Sequence, residues 1–551
     1  MTGKLDNLRV HVHINVFLRY GVFTALGEIT IPNGRHGPVV MNDIGRVFGN
    51  RVMELRFRTS EAEDLQVGEM LVVEEGGVKF LVRTMDVLFG ADADEESWME
   101  KEAGVALRHS PDAYDYDGVR SNLYKMGVCT PLGCLKDGGY RKAKSIPRHF
   151  SRVRRADQAD YDFLKPMMGD VEVGHLRSGD RVMDFRVGIE SRSFPHHVGI
   201  FATTGMGKSN LMKSLALSCM ASRRCGFLIL DPHGEYYDGG ERGKKGLSHS
   251  KLAAESLDVY ASRRLEGPHS SIHVSSGEIE IPDLANLYEF SGPQLECLQA
   301  AQYRYDERWL EDLRDRDVST IVKDLGGKFH EGSVNVIKRR LDSIFQFDLV
   351  TTDRNLSMTK AVISALQSGK TVLVDTSNMF EAEELLVSTV LARAVFEHNK
   401  AIYSDKEKFE RSPPVLIALE EAQRVLSQSK GTVFSQLARE GRKFKVGLCA
   451  VSQQPKLINE EIISQFNTLF VLGLADKRDR DILRNSAKQD ISMLDNEIQM
   501  LMPGEALVAS PFTPFTIPCR VHLYEEYLEE MNARVGETSI KVKKDVDDRF
   551  F

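Results

Sequence analysis

The chain has 551 residues, with 72 Lys and Arg against 80 Asp and Glu and a formal net charge of −8. Hydrophobic residues make up 42% and charged residues 28%, which excludes a disordered chain and suits three or four domain-sized pieces. No apolar run nears the ~18 residues of a membrane-spanning helix, and MTGKLDNLRVHVHINV lacks the apolar core of a secretory leader, so a cytoplasmic protein with no membrane partner is expected.

In chain order, residues 1–90 hold short β-type runs such as GVFTALGEITI, VMELRFR, EMLVVEE and VKFLVRTMDVLFG, separated by glycine or acidic turns. That spacing predicts a small barrel or sandwich, which with its linker extends to about residue 165. Asp92 to Glu102 reads as an acidic surface segment. Residues 141–155 carry seven Lys and Arg and no acid; such a run suits either a nucleic-acid contact or a solvated linker. The seven cysteines (Cys129, Cys134, Cys219, Cys225, Cys297, Cys449 and Cys519) are odd in number, scattered and free of any CxxC spacing. They read as buried or inert thiols rather than a disulfide framework or a zinc site.

From about residue 171 short apolar runs alternate with helical segments: VGIFA, FLIL, TVLV, VLIAL, GLCAV and LFVLGL. This predicts an α/β domain over 166–525 with a parallel sheet covered on both faces. Residues 245–365 are charged and read as a helical insertion, and 526–551 as a short charged tail. Polar groups follow most of the apolar runs, namely Asp231, Asp375, Glu420 and the Ser452–Gln453 pair, with a glycine loop after the first. Ligands of open α/β sheets gather at the carboxyl ends of strands, so these residues outline a site.

Ala202-Thr-Thr-Gly-Met-Gly-Lys-Ser209 fits a phosphate-binding loop. Gly205 and Gly207 let the backbone curl so that the N–H groups of Thr203, Thr204, Gly205, Met206, Gly207, Lys208, Ser209 and Asn210 are available to an anion. Lys208 supplies charge to the β- and γ-phosphates of ATP, the Ser209 hydroxyl ligates Mg²⁺, and the following helix adds its positive end. Val415-Leu-Ile-Ala-Leu-Glu-Glu-Ala422 ends a strand in two carboxylates; Glu420 is assigned to the metal and Glu421 to the attacking water. Gln453 ends a later strand where an amide can sense the γ-phosphate. Arg439, Arg442 and Lys443 precede that strand, and either a trans-acting guanidinium or a basic helix end explains them.

Together ATTGMGKSN, LILDPHGEYYD, VLIALEEAQRVL and LAREGRKFKVGLCAVSQQPKLINEEIISQFNT resemble the HerA family of ring-forming DNA translocases, relatives of the FtsK motors among RecA-like P-loop ATPases. The resemblance implies a RecA-like core with an N-terminal β-barrel and a homo-hexamer with ATP between subunits. It further implies double-stranded DNA in the channel and a NurA-type nuclease partner in DNA end resection. By position it makes Glu421 the catalytic carboxylate, Arg442 the trans-acting finger, and Asp231 and Glu235 a second acidic motif. His196 stands where relatives often carry an arginine that contacts nucleotide, and Gln423 where they commonly have histidine. Lys430 and Lys456 are candidate channel residues. Two other roles fit the same motifs: a ring that scaffolds a defence effector enzyme, and a secretion or conjugation pump.

Overall fold

The computed structural model describes residues 12–18, 21–27, 43–49, 51–91, 105, 123–240, 243–427 and 432–547. Strands β1 (Val12–Leu18) and β2 (Gly21–Gly27) form an antiparallel hairpin; the acidic segment from Asp92, and Lys430, lie outside the described residues.

Six strands close a barrel: β3 (Asp43–Phe48), β4 (Leu55–Ser60), β5 (Met70–Glu75), β6 (Val78–Ala91), β7 (Leu123–Lys136) and β9 (Arg152–Arg155). They run β4-β3-β9-β5-β6-β7, all antiparallel, and β7 pairs back onto β4; β8 (Gly139–Arg141) hairpins onto β7. Closure removes the sheet edges that would otherwise invite pairing. Val47, Phe57, Leu71, Val73, Val82 and Val153 fill the interior. The run Met70-Leu-Val-Val73 is continuously apolar because both of its faces are covered. Leu71 and Val73 point into the barrel, while Met70 and Val72 pack with Tyr161 of the linker and Phe185 of the following domain. Part of the basic run 141–155 goes into this architecture. Arg154 pairs with Glu74 and Asp160, Arg155 with Glu63 and Glu69, and Arg148 with Glu75.

Beyond the barrel lies a twelve-stranded sheet. Its parallel part runs β21 (Thr468–Val471), β12 (Val198–Phe201), β20 (Val446–Ser452), β19 (Val415–Leu419), β13 (Gly226–Asp231), β18 (Thr371–Asp375), β14 (Leu257–Ala261) and β15 (Ser270–Ser271). An antiparallel flank follows β21: β22 (Glu505–Ala509), β23 (Ile517–Val521), β10 (Val171–Ser178) and β11 (Arg181–Ile189). Alternate residues feed two cores, with Leu228 and Leu230 on one face and Phe227 and Ile229 on the other. That is why the strands read as unbroken apolar runs.

Two expected elements differ. The segment 245–365 is not wholly a helical insertion, because β14 joins the main sheet in parallel with β18. Its helical part runs from Ile281–Leu287 to Glu331–Phe345. Residues 526–551 are not a loose tail from their start: a helix spans Tyr524–Asp547, and its Tyr524, Tyr527, Leu528 and Met531 are buried in the core. It packs on the helix Lys208–Ser222, which is buried on nearly every side, down to Lys213 and Ser218. All seven cysteines are free and six are buried; burial pushes the Cys129 thiol up to about 12. Among the described residues no helix is long and apolar enough to cross a membrane.

Candidate nucleotide site

β12 delivers the chain into the glycine loop. Gly205 and Gly207 take φ of 82° and 100°, a region that side chains resist and glycine does not. The loop is pinned from behind: the Thr203 N–H donates to Gly473 at 2.9 Å, and the Gly504 N–H donates to the Met206 carbonyl at 3.1 Å. A cleft of about 740 Å³ opens in front. Thr204, Gly205, Gly207, Lys208, Ser209 and Asn210 line it, whereas Thr203 and Met206 do not. The Met206 side chain lies against Gly473. Asn210 also clamps the start of the last helix, donating to the His522 carbonyl at 2.7 Å and accepting from the Tyr524 N–H at 2.9 Å. Lys208 Nζ donates to the Ala202 carbonyl at 3.3 Å. Burial lowers its pKa, opposed by the nearby Glu420, Glu421 and Glu235.

The second wall is acidic. Buried Asp231, at the end of β13, accepts the N–H groups of His233 (3.1 Å), Gly234 (2.8 Å) and Tyr236 (3.0 Å). The carboxylate thus folds DPHGEY into a tight turn that sets Glu235 and Tyr236 against the cleft. Burial, and then the charge of Asp375, push Asp231 up to about 6. Arg263 holds Asp375 at 2.8 Å.

Glu420 and Glu421 follow β19, and both line the cleft. Glu420 is half-buried and accepts a close hydrogen bond from the Tyr236 hydroxyl. Burial, reinforced by Asp231 and Glu235, carries it to about 7 against the opposing effects of Tyr236 and Lys208. Sequence reasoning missed Tyr236; its only signal was a tyrosine just beyond the DPHGE turn. Glu421 occupies a left-handed backbone, φ 47°. Its carboxylate accepts from Gln453 Nε2 at 3.3 Å and Gln423 Nε2 at 2.5 Å. Gln453 in turn accepts from the Thr204 hydroxyl of the phosphate loop.

His196, Arg439 and Arg442 do not join this cluster. Arg442 lies just before β20, and Gln453 just after it. Seven strand residues separate them, roughly 20 Å of extended chain. His196 precedes β12 at the same, amino-terminal end of the parallel strands. Its Nδ1 contacts Asn467 Nδ2 at 3.0 Å and its ring packs edge-on to Phe512; burial lowers its pKa, and Arg442 lowers it further. Arg439 pairs with Glu461 at 3.1 Å. Arg442 is exposed, and among the described residues it has no carboxylate within ion-pair distance. Lys456 is committed to Asp476 and Asp479.

Residues 171–395 match the family model of the central domain of helicase HerA. A probable helicase of Methanocaldococcus jannaschii is 25% identical over 85% of this chain and 88% of its own length. The DNA double-strand break repair helicase HerA of Pyrococcus furiosus is 24% identical over 69% of this chain and 74% of its own. Among solved structures, the plasmid coupling protein TrwB in complex with a non-hydrolysable GTP analogue aligns at a TM-score of 0.45 and 12% identity, over 67% of this chain and 93% of that one.

Proposed function

We propose that the chain is a HerA-type P-loop ATPase that hydrolyses ATP, a reading its similarity to HerA helicases supports, and that it moves along double-stranded DNA as a homo-hexameric ring, working with a NurA-type nuclease at DNA ends. The observation that carries the ring is the division of the site. Phosphate loop and carboxylates converge on one cleft at the carboxyl ends of the strands, while Arg442 stands at the amino end of β20, beyond reach of its own chain's cleft. A guanidinium placed there completes the cleft of a neighbouring copy. Helicase relatives named for DNA double-strand break repair support DNA as the track. In this reading residues 1–165 form the barrel and its linker, and 166–525 the motor.

The roles follow from placement. Lys208 and the loop N–H groups hold the phosphates. The donor set fits Mg²⁺: the Ser209 hydroxyl and Glu420 line the cleft together, and a carboxylate held up at about 7 by burial and like charge gains from a cation beside it. Those two residues would hold the ion, which when bound neutralises charge on the β- and γ-oxygens. Tyr236 and the Asp231 turn fix Glu420 from behind. Glu421 orients the attacking water and takes its proton, as its place beside Gln453 and Thr204 allows. Arg442 of the adjacent copy stabilises the charge that develops on the transferred phosphoryl group.

The test is electron microscopy of the purified chain with ATP and duplex DNA, beside a measurement of ATP turnover with and without the duplex. Six-fold rings with density through the channel and duplex-stimulated turnover are expected. Monomers whose turnover ignores DNA would remove the translocase reading.

A further inference from the structure

We propose that Gln423 is the positioning residue for the catalytic carboxylate, holding one oxygen of Glu421 throughout the cycle while Gln453 is the arm that nucleotide displaces; this rests on the reading of Glu421 as the base. The hydrogen-bond pattern fixes the direction of every link. An ionised carboxylate only accepts, so both glutamines must turn their NH₂ groups to Glu421. Each is then left with an amide oxygen that needs a donor, and each has a hydroxyl in place. Ser452 Oγ donates to Gln423 Oε1 at 2.6 Å, and Thr204 Oγ1 donates to Gln453 Oε1. The result is one chain of bonds, from Ser452 through Gln423, Glu421 and Gln453 to Thr204.

The two arms differ in their anchors. Ser452 is the buried last residue of β20 and accepts the Gln454 N–H at 3.0 Å. It belongs to the rigid centre of the sheet, so the Gln423 arm has no reason to move. Thr204 belongs to the phosphate loop and faces the cleft, and the Gln453 contact is the longer one, 3.3 Å against 2.5 Å. A phosphate arriving at the loop competes for Thr204 and for the Gln453 amide. When Gln453 turns to it, Oε1 of Glu421 is free for water, while Oε2 stays on Gln423 and fixes the plane of the carboxylate. The backbone supports the same division. Glu421 holds a left-handed φ of 47°, a strained conformation that persists only where its surroundings over-determine it. The surroundings here are the Ala422 N–H donating to Val451 at 3.0 Å and the Arg424 N–H donating to the Glu421 carbonyl at 2.9 Å. Both act on the backbone and leave the carboxylate to be oriented by the amides.

The experiment uses the full chain, with ATP turnover and nucleotide binding measured on Gln423→Met, Ser452→Ala, Glu421→Gln and the Gln423→Met/Glu421→Gln double variant. Methionine keeps the length and bulk of glutamine and removes the donor. Gln423→Met should lower kcat by about 10- to 100-fold, the scale of a misplaced catalytic group, with KM and nucleotide affinity within about twofold of the parent. Ser452→Ala should show the same split with a smaller fall, and it keeps the test open if Gln423→Met does not fold. In the Glu421→Gln background Gln423→Met should cost nothing further, because a residue acting through Glu421 loses its object when the base is gone. A parent-like kcat in both Gln423→Met and Ser452→Ala, or an equal loss with and without the base, overturns the proposal. Undiminished turnover by Glu421→Gln would instead strike the assignment of the base beneath it.

Discussion

Glu420 sits half-buried against Tyr236 and near Asp231, whereas Glu421, one residue on, turns through a left-handed backbone toward two glutamine amides. Glu421→Gln should therefore bind ATP and hydrolyse it very slowly, because the amide keeps the shape and loses the base; nucleotide affinity beside single-turnover rates checks this. If Glu420→Gln alone gave that trapped state, the two roles would be exchanged. Lys208→Ala should both abolish turnover and weaken binding, because its ammonium is the charge the phosphates meet in the loop. Near-parental turnover in Lys208→Ala would dismiss the phosphate-loop reading. The glycine loop and the paired glutamates were legible in the sequence because their chemistry is local, a fixed spacing after an apolar strand. Tyr236 and Gln423 were not given roles. The first acts on a carboxylate 184 residues away and the second through a serine 29 residues on, and only the sheet order brings those strand ends side by side. His196, Arg439 and Arg442 read as neighbours of the site in the sequence, but nothing in their spacing says that they precede β12 and β20 at the end of the strands away from the cleft.

Between elements, one buried polar joint binds barrel to motor and a second ties the barrel to its linker. Arg83 of β6 and Arg177 of β10 both donate to Glu497 Oε1, at 2.5 and 2.9 Å, with all three side chains buried. Glu497 belongs to the helix Asp495–Met500, shortly before Gly504, whose N–H pins the phosphate loop. Glu497→Ala strands two buried guanidinium groups and should destabilise the chain by about 3–5 kcal/mol, read as a lowered unfolding midpoint; an unchanged midpoint would mean the joint carries no load. The second joint is Asp160. Burial alone would raise its pKa, but hydrogen bonds from Arg154, Lys79 and the backbone hold it at about 2, below its ordinary 3.8. A depressed carboxylate contributes stability above its unfolded pKa and loses it as pH falls through the folded one. The Asp160 contribution, about 2.5 kcal/mol at roughly 1.4 kcal/mol per pKa unit, should be intact at pH 5 and lost as pH falls through about 2. Acid unfolding of Asp160→Asn beside the parent measures it: the two curves should differ at pH 5 and draw together as pH falls below about 2. The apolar strands were plain in the sequence because a run buried on both faces has no other explanation. β14 was hidden: Asp258, the second residue of LDVYA, pairs with Lys370, so the strand looked like the charged helices that follow it. The last helix reads as a tail in the sequence because its buried residues, Tyr524, Tyr527, Leu528 and Met531, are interleaved with the four glutamates Glu525, Glu526, Glu529 and Glu530 and show their role only once their partner helix is known.

For the whole molecule, a net charge of −8 per chain opposes DNA at long range, so binding to a duplex must come from cations gathered at one surface and should weaken steeply with salt. Lys456 is not a free contributor, being held by Asp476 and Asp479, and the run 141–155 is partly spent within the barrel and its seam. The central claim is that one chain holds half of each catalytic site. Arg442→Ala should bind ATP and assemble, yet hydrolyse on the order of 10³- to 10⁵-fold more slowly, the range of a lost arginine finger. Mixing tests where the arginine acts. Arg442→Ala subunits keep Glu421, and Glu421→Gln subunits keep Arg442. The decisive measurement is the ATP turnover of the two inactive variants mixed in equal amounts and allowed to exchange subunits. The expected result is turnover well above either variant alone, from interfaces where one copy supplies the carboxylate and its neighbour the arginine; a mixture as inactive as its parts, with mixed assemblies confirmed by mass, would contradict a shared site.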